Sequence, residues 1–436
     1  MTTSTPTFDP TIAAAPTSWR DRIKITRVGI FSVFFILLGL WMLIGGPQTI
    51  AGDTVTELTF GGDLAPLLVP TLTYTLIVGA LYLAGGVVGL LAVPGLQRLK
   101  TPWLLINGVL IIPTVLIIAA ADNSTNVTVM LQVSVRLATP IVIGALAGIW
   151  CERAGVVNIG IEGMMLTGAA FGFVAFTLLL PTGAPTPTLL IVGVIVSVLA
   201  GGLMAVLHAW LSITFRTDQI VSGTVINILA VGLTSFARRE ILLSSDAGRE
   251  TLQPIAIPVL SEIPVLGDVL FNGKPIFYMM FILLFLTHFI LFFTPWGLRM
   301  RAVGENPHAA DTLGVNVLRV RWISVIIGGL IAGLAGAWFS LETNGSFDDN
   351  VTSGRGFIAL AAMIFGKWLP FGAFGGGLLF GFSDALGQRF QFLGVPIPPQ
   401  FLQMVPYIIT IVVLAGLVGR AIPPKASAKP YVKEEK

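Results

Sequence analysis

Cysteine is almost missing from this chain: Cys151 is the single one in 436 residues. An internal disulfide and a cysteine-based metal cluster are thereby excluded. Charge is scarce too. Asp, Glu, Lys and Arg make up 11% of the residues against 55% apolar, too little polar surface to cover a water-facing globule. Two of the histidines, His208 and His288, stand alone inside apolar runs, where an interhelical hydrogen bond or a headgroup position is expected rather than a metal. No nucleotide-binding loop GxxxxGK[S/T] is present, and neither HExxH nor GxSxG occurs. If ATP drives this protein, another chain hydrolyses it.

What remains is long apolar sequence, with a mean hydropathy of +0.89. Uncharged runs cover Val28 to Ile44, Val69 to Val93, Pro102 to Ala121, Leu137 to Trp150, Thr188 to Phe215, Gln219 to Ala237, Pro275 to Gly297, Trp322 to Leu341 and Gln400 to Gly419. Two further stretches are interrupted: Gly155 to Leu180 holds Glu162, and Gly356 to Leu386 is split by Lys367 and Pro370. At roughly 20 residues per crossing, the pattern predicts an all-α integral membrane protein. It has about ten to eleven transmembrane segments, some of them short or broken. The first run is long for a signal peptide and is followed by a poor cleavage site around Ala51, so an uncleaved anchor is expected.

Arginine and lysine set the expected orientation. With the N-terminus in the cytoplasm, most basic residues fall on that side, including the Arg299 to Arg321 patch and both tails. Asp53, Glu57, Asp63, Asp122, Glu342, Asp348 and Asp349 fall on the other, which satisfies the positive-inside bias. Residues 238–274 then form the largest extracytoplasmic loop, whose prolines and mixed charges suggest a folded cap.

A polar patch from Trp296 to Arg321 separates two apolar runs and encodes one brief helix near 306–314. Asn306 is placed to cap the free amides, Pro307 suits the first helical position, and Gly314 supplies a left-handed exit. Arg301, Glu305 and Asp311 offer polar contacts, while Ala309, Ala310 and Leu313 suit a shallow groove on a partner. A solvated loop helix without a partner is the alternative.

Polar groups inside the apolar runs form a second set. Asn158 and Glu162 are four apart in GVVNIGIEGMM, so a continuous helix puts them on one face, whereas Gly155, Gly160 and Gly163 favour a break. Ionisable groups at membrane depth face a cavity or a partner. Glu162 has three such roles open to it: lining a path, pairing with Arg136 or Arg153, or capping a half-helix. Asn227 and Asp384 are further lining candidates, against the alternative of an interhelical bond worth about 0.6 kcal/mol. Phe390 and Phe392 are candidates for stacking on a base. Gly329 with Gly333, and Gly377 with Gly381, have the spacing that lets helices approach closely.

The stretch ATPIVIGALAGIWCERAGVVNIGIEGMMLTGAA at 138–170 resembles the permease subunits of bacterial ABC importers for nucleosides and simple sugars, within the branched-chain amino acid and ribose-type permease superfamily. QIVSGTVINILAVGLTSF at 219–236, RAVGENPHAADTLGVNV at 301–317 and GRGFIALAAMIFGKWLPFGAFGGGLLFG at 354–381 extend the resemblance, in the expected order. It covers a permease core over 131–420; composition, the apolar runs and the basic bias add a disordered cytoplasmic tail over 1–27, N-terminal transmembrane segments over 28–130 and a cytoplasmic tail over 421–436. It implies a transport subunit rather than an enzyme, in the cytoplasmic (inner) membrane. Its partners would be a cytoplasmic ATPase carrying ATP and Mg, a second permease chain in a homo- or heterodimer, and an extracytoplasmic solute-binding lipoprotein. Few interior charges favour a neutral polar cargo, with nucleosides first and simple sugars second. A gradient-driven transporter or channel is the rival, and it would need an ion-coordinating cluster for which Glu162 with Asp384 is the thin candidate.

Overall fold

The computed structural model of the protein describes residues 27–62, 64–91, 97–245, 249–392, 404 and 421–433. The predicted tail up to residue 26, Asp63, all of the predicted run at 400–419 except residue 404, and residues 434–436 lie outside them. Helices dominate: α1 (Arg27–Thr49), α2 (Thr71–Leu90), α3 (Gln97–Ala119), α4 (Val127–Glu152), α5 (Ile161–Leu179), α6 (Thr186–Ala209) and α7 (Gln219–Ala237). A short α8 (Leu266–Leu270) precedes α9 (Pro275–Phe293), α10 (Pro295–Glu305), α11 (Pro307–Thr312), α12 (Val317–Ala337), α13 (Arg355–Phe365) and α14 (Pro370–Phe392). Among the described residues, nine helices are long and apolar enough to cross a membrane.

Caps explain where several helices begin. Asn126 accepts from the amide of Val129, Asp218 from those of Ile220 and Val221, and Asn316 from that of Arg319. Two helices therefore start before the uncharged runs that predicted them. In α4, Gln132 and Arg136 lie on the helix because their side chains reach the carbonyls of Asp268 and Asn272, at 3.0 and 3.4 Å. In α12, Arg321 is included because its Nη1 donates to the carbonyl of Lys429 at 3.1 Å. The stretch predicted to split at Lys367 and Pro370 does split: Lys367 and Trp368 take φ +53 and +55 between α13 and α14.

Two compact units form. One comprises the described residues of Met1–Thr54 with Pro70–Ile118, the other Val55–Val69 with those of Ala119–Lys436. In the first, α1 and α2 approach closely: a Cβ on Gly39 would lie 2.7 Å from the carbonyl oxygen of Gly79. Phe35 packs on Tyr82, whose hydroxyl meets Thr114 Oγ1 at 3.2 Å.

The second unit carries the larger core, built on α4, α5, α12 and α13. Its small-residue contacts use the predicted glycine pairs. A Cβ on Gly201 of α6 would sit 2.5 Å from Gly333 Cα and 2.6 Å from the Gly329 oxygen. One on Gly381 of α14 would meet the Ser134 oxygen of α4 at 2.4 Å. A parallel pair, β1 (Val55–Thr59) with β2 (Ser124–Asn126), aligns Glu57 with Ser124 at the start of α4. The segment 249–274 is folded, as expected of a cap, and holds the antiparallel pair β3 (Ile255–Ala256) and β4 (Asn272–Gly273).

Candidate solute path and coupling surface

Between α4 and α5 the chain leaves the helix, from Arg153 to Gly160, with Gly155 at φ +81. Backbone groups freed there need partners at membrane depth, and side chains supply them. The Val157 amide donates to Gln219 Oε1 at 2.7 Å, and the Val157 carbonyl lies 3.0 Å from His208 Nε2. A carbonyl only accepts, so Nε2 bears the proton and Nδ1, 3.0 Å from Ser222 Oγ, accepts. Asn227 accepts from the Gly163 amide at 2.8 Å and donates to the Ile159 carbonyl at 3.0 Å. The break is thus stapled to α6 and α7. His208 forms the interhelical bonds expected of it, whereas His288 packs among Phe292, Phe293 and Phe371.

Because α5 starts at Ile161, Asn158 and Glu162 do not share a helical face. Asn158 belongs to the break and is fully buried; its Nδ2 lies 3.4 Å from Cys151 Sγ and 3.5 Å from Met164 Sδ. Glu162 pairs with neither Arg136 nor Arg153. Of its three open roles, the half-helix cap is the one built. Its Oε1 accepts from Thr352 Oγ1 at 2.6 Å and the Gly354 amide at 2.8 Å, and its Oε2 accepts from the Gly356 amide at 2.6 Å. Position 354 has φ +79 and must bring its amide close, which suits glycine. A Cβ at Gly356 would fall 2.6 Å from Glu162 Cα.

The other end of α13 locates this hub in depth. Arg153 donates to the Trp368 carbonyl from Nε at 3.0 Å and Nη2 at 2.9 Å, and Trp368 Nε1 donates to Glu152 at 2.6 Å. Burial works against the charge on Arg153 and lowers its pKa, with Glu305 offsetting part of the effect. The 11 residues of α13 rise about 16 Å. Glu162, at the first turn of α13, is therefore separated from the Arg153 joint by half the ~30 Å of a hydrocarbon core.

Of the path candidates, Glu162 and Asn227 hold the two helix starts, and Asn158 packs beside them. Asp384 stands apart on α14, 3.5 Å from Arg355 Nη2. Phe390 is buried and Phe392 is 83% exposed, so the two do not form one stacking surface. Sequence reasoning missed Arg355, which is the first residue of α13 and stands between the polar stretch at 348–353 and the apolar run from Gly356. The Gly354-Arg355-Gly356 triplet was its only local signal. A groove of about 1100 Å³, lined by Leu190, Ile195, Leu283 and Ile331 among others, touches none of these polar candidates.

On the polar patch the structure has two helices, α10 and α11, where one was predicted. Asn306 caps α11 by accepting from the Ala309 amide at 3.1 Å, Pro307 opens it, and Gly314 turns out of it at φ +81. Leu313 is 85% exposed. Ala310 is instead buried against its own chain, so it cannot enter a groove on another protein. Arg301 lies over the Phe292 ring at 5.0 Å, and Asp311 is half-buried. Residues 421–433 run beside this pair: the Ala426 amide donates to the Gly304 carbonyl at 2.9 Å, the Lys425 amide to Glu305 at 3.4 Å, and Tyr431 packs on His308. Gly304 abuts the Arg153 carbonyl so closely that a Cβ would lie 2.2 Å away. The α10–α11 pair, the C-terminal strap and the break after α4 share one joint.

At the opposite end of α12, Glu342 accepts from the Ile276 amide at 2.6 Å, and the Leu252 amide donates to the Leu341 carbonyl at 2.9 Å. Lys274 Nζ reaches Thr251 Oγ1 at 3.0 Å and the Glu342 carbonyl. Burial lowers the Lys274 pKa, and Glu342 opposes that shift. Arg238 bridges Asp348 and Asp349 at 3.1 and 3.3 Å. These bonds anchor the cap to α12, whose other end follows α11.

Many apolar spans, two helix starts meeting among them and a protruding capped helix define a membrane transport subunit. The family described as branched-chain amino acid transport system / permease component matches residues 130–414, and the chain belongs to it. Guanosine ABC transporter permease protein NupQ of Bacillus subtilis is 42% identical over 315 residues, 70% of this chain and 97% of that protein. Nucleoside ABC transporter permease protein NupC of Lactococcus lactis is 40% identical over 71% of this chain and 100% of its own length. The putative glucose permease TsgC13 of Haloferax volcanii is 34% identical over 67% and 92%. No solved structure matches. The protein is therefore a multi-pass permease subunit of an ABC importer in the cytoplasmic membrane and not an enzyme, and its family implies association with an ATPase and a solute-binding protein.

Proposed function

We propose that this subunit imports nucleosides. The observation that carries the reading is the pair of near-full-length relatives at 42% and 40% identity, which are named for guanosine and for nucleosides. Its physical support is the interior. Glu162 and Asn227 are held by backbone partners, and the described residues hold no group of three or more acids, histidines or cysteines that could coordinate a driving ion, which suits a neutral polar cargo.

In this reading α11 fits a groove on the cytoplasmic ATPase, with Leu313, Asp311, Glu305, Arg301 and the Asn306-Pro307 cap as its contact and Gly314 as its exit. ATP and Mg bind to that ATPase. The N-terminus is cytoplasmic, residues 238–274 receive the solute-binding lipoprotein, and a second permease chain completes the path. Closure of the ATPase moves α11, and the joint at Gly304, Arg153 and Ala426 passes the movement to the break before Glu162.

The test is ATP-driven uptake of labelled guanosine by proteoliposomes holding the complete transporter. Vanadate-sensitive uptake that is outcompeted by other nucleosides and not by glucose is expected. Competition by glucose alone shifts the cargo to simple sugars, as the TsgC13 similarity would have it. Uptake indifferent to vanadate returns the gradient-driven rival.

A further inference from the structure

The polar groups around the two helix starts divide sharply by how much hydrogen-bonding capacity their own chain uses. Glu162 accepts three bonds from Thr352, Gly354 and Gly356, all at 2.8 Å or less. The amide of Asn227 is used at both ends. Asn158 has an unpartnered Oδ1 and an Nδ2 set against two sulfur atoms, but at 0% exposure it offers a solute no open face. A solute could bond to Glu162 or Asn227 only by taking them from the backbone they hold, which would release the start of α13 or α5.

Arg355 and Asp384 differ. They face each other from the first turn of α13 and from α14 at 3.5 Å, the outer limit of a hydrogen bond. Arg355 Nε has no partner at all. The 3.5 Å contact is the carboxylate's single bond among the described residues. Both side chains keep partial exposure, 23% and 21%, whereas Glu162 is buried. The guanidinium also lies over the Phe339 ring, 5.9 Å from its centroid, a contact that steadies its plane.

Depth places the pair on the way through. Arg355 starts a helix that ends at the Arg153 joint about 16 Å away, whereas Arg389, one turn beyond Asp384 on α14, bonds Thr125 and Ser124 at 2.8 Å beside β2. The pair therefore lies between the Glu162 hub and the end of the bundle that carries the strands.

We propose that Arg355 and Asp384 form the solute-reading contact of the path, a neutral donor–acceptor pair that takes the edge of a nucleobase; this rests on the nucleoside reading above. A guanidinium donates to the adjacent acceptors of a purine, and a carboxylate accepts from ring or exocyclic N–H groups. One ion pair thus offers both halves of a base edge and adds no net charge. The 3.5 Å spacing leaves each partner free to exchange the other for the solute.

The experiment uses the complete transporter in proteoliposomes and compares uptake of guanosine, adenosine, cytidine and uridine, each saturating the binding protein. Asp384→Asn is expected to change the guanosine-to-uridine uptake ratio about tenfold, the effect of one lost charge-assisted hydrogen bond. A uniform fall for all four solutes, or no change, overturns the proposal. So does recovery of the native ratio when Arg355→Asp is combined with Asp384→Arg, since a structural pair alone would recover.

A second measurement leaves the pair intact. Gln388 is exposed one turn from Asp384, and Cys151 is buried, so a thiol reagent on Gln388→Cys reads that face. Saturating nucleoside delivered by the binding protein should slow labelling; unchanged labelling overturns the proposal. Failure of the nucleoside reading shows separately, as a native transporter that takes up none of the four.

Discussion

The Glu162 carboxylate accepts the Gly356 amide at 2.6 Å across 194 positions of sequence, so a residue in the first turn of α5 caps the first turn of α13. Two helices that start inside the membrane are thereby tied at their starts. A carboxylate suits the place because both helix dipoles present their positive ends to it.

Glu162→Gln keeps the shape and turns one acceptor into a donor facing amides. A loss of about 2 kcal/mol of stability is expected, in the range for hydrogen bonds to a charged group. Thr352→Val should cost about 1 kcal/mol through its single bond. Thermal unfolding of the purified protein measures both, and equal small shifts would mean that the cap is not what holds α13.

Two glycines separate packing from propensity. Gly201→Ala puts a methyl group into the backbone of α12 and should destabilise by about 1–3 kcal/mol. Gly232 in α7 has open space around its Cβ position, so Gly232→Ala should stabilise by about 0.5–1 kcal/mol. The same unfolding assay run on both variants settles whether α6 and α12 touch as described.

Leu313 at 85% exposure contributes nothing to the core. Leu313→Asp is expected to leave the unfolding temperature unchanged and to abolish ATPase retention on a column carrying the permease, together with uptake. Retained ATPase would remove α11 from the coupling role.

The strap at 421–433 reaches Gly304 through one backbone donor. Ala426→Pro deletes that donor and should raise hydrogen exchange over 295–312 and lower uptake several-fold, with the spans still protected. Unchanged exchange over that window would show that the strap is not attached there.

Lys274 yields a pH dependence. Burial lowers its folded pKa below the ordinary value of 10.5, so between the two values the unfolded chain binds more protons than the folded one. Stability then rises with pH across that window and loses this increment as pH falls through the folded pKa. The difference in unfolding temperature between the native protein and Lys274→Met should change between pH 7 and pH 10.5, as the shift in protonation requires; a constant difference removes the linkage.

Local patterns read well in this chain. The Asn306-Pro307 start and Gly314 exit of α11, the split at Lys367 and Pro370, and the glycine pairs at 329/333 and 377/381 appear as expected. Each is encoded within a turn or two of helix, by caps, by proline or by small-residue spacing. The starts of α4 and α12 were misplaced because Gln132, Arg136 and Arg321 look like loop residues until their distant carbonyl partners are known. α10 was missed because its apolar content is low and its cap, Thr294, sits at the end of an apolar run.

Hydropathy and the order of apolar runs were enough to assign a helical membrane protein, because burial in lipid is decided residue by residue along each span. The use of its polar groups was not so encoded. Nothing local in sequence tells Glu162, Asn227, Asp384 and Arg355 apart in this respect. Folding ties the first two to backbone and leaves the last two loosely paired. Hydrogen-bond satisfaction depends on partners brought from up to 194 positions away, and no local pattern carries that distance.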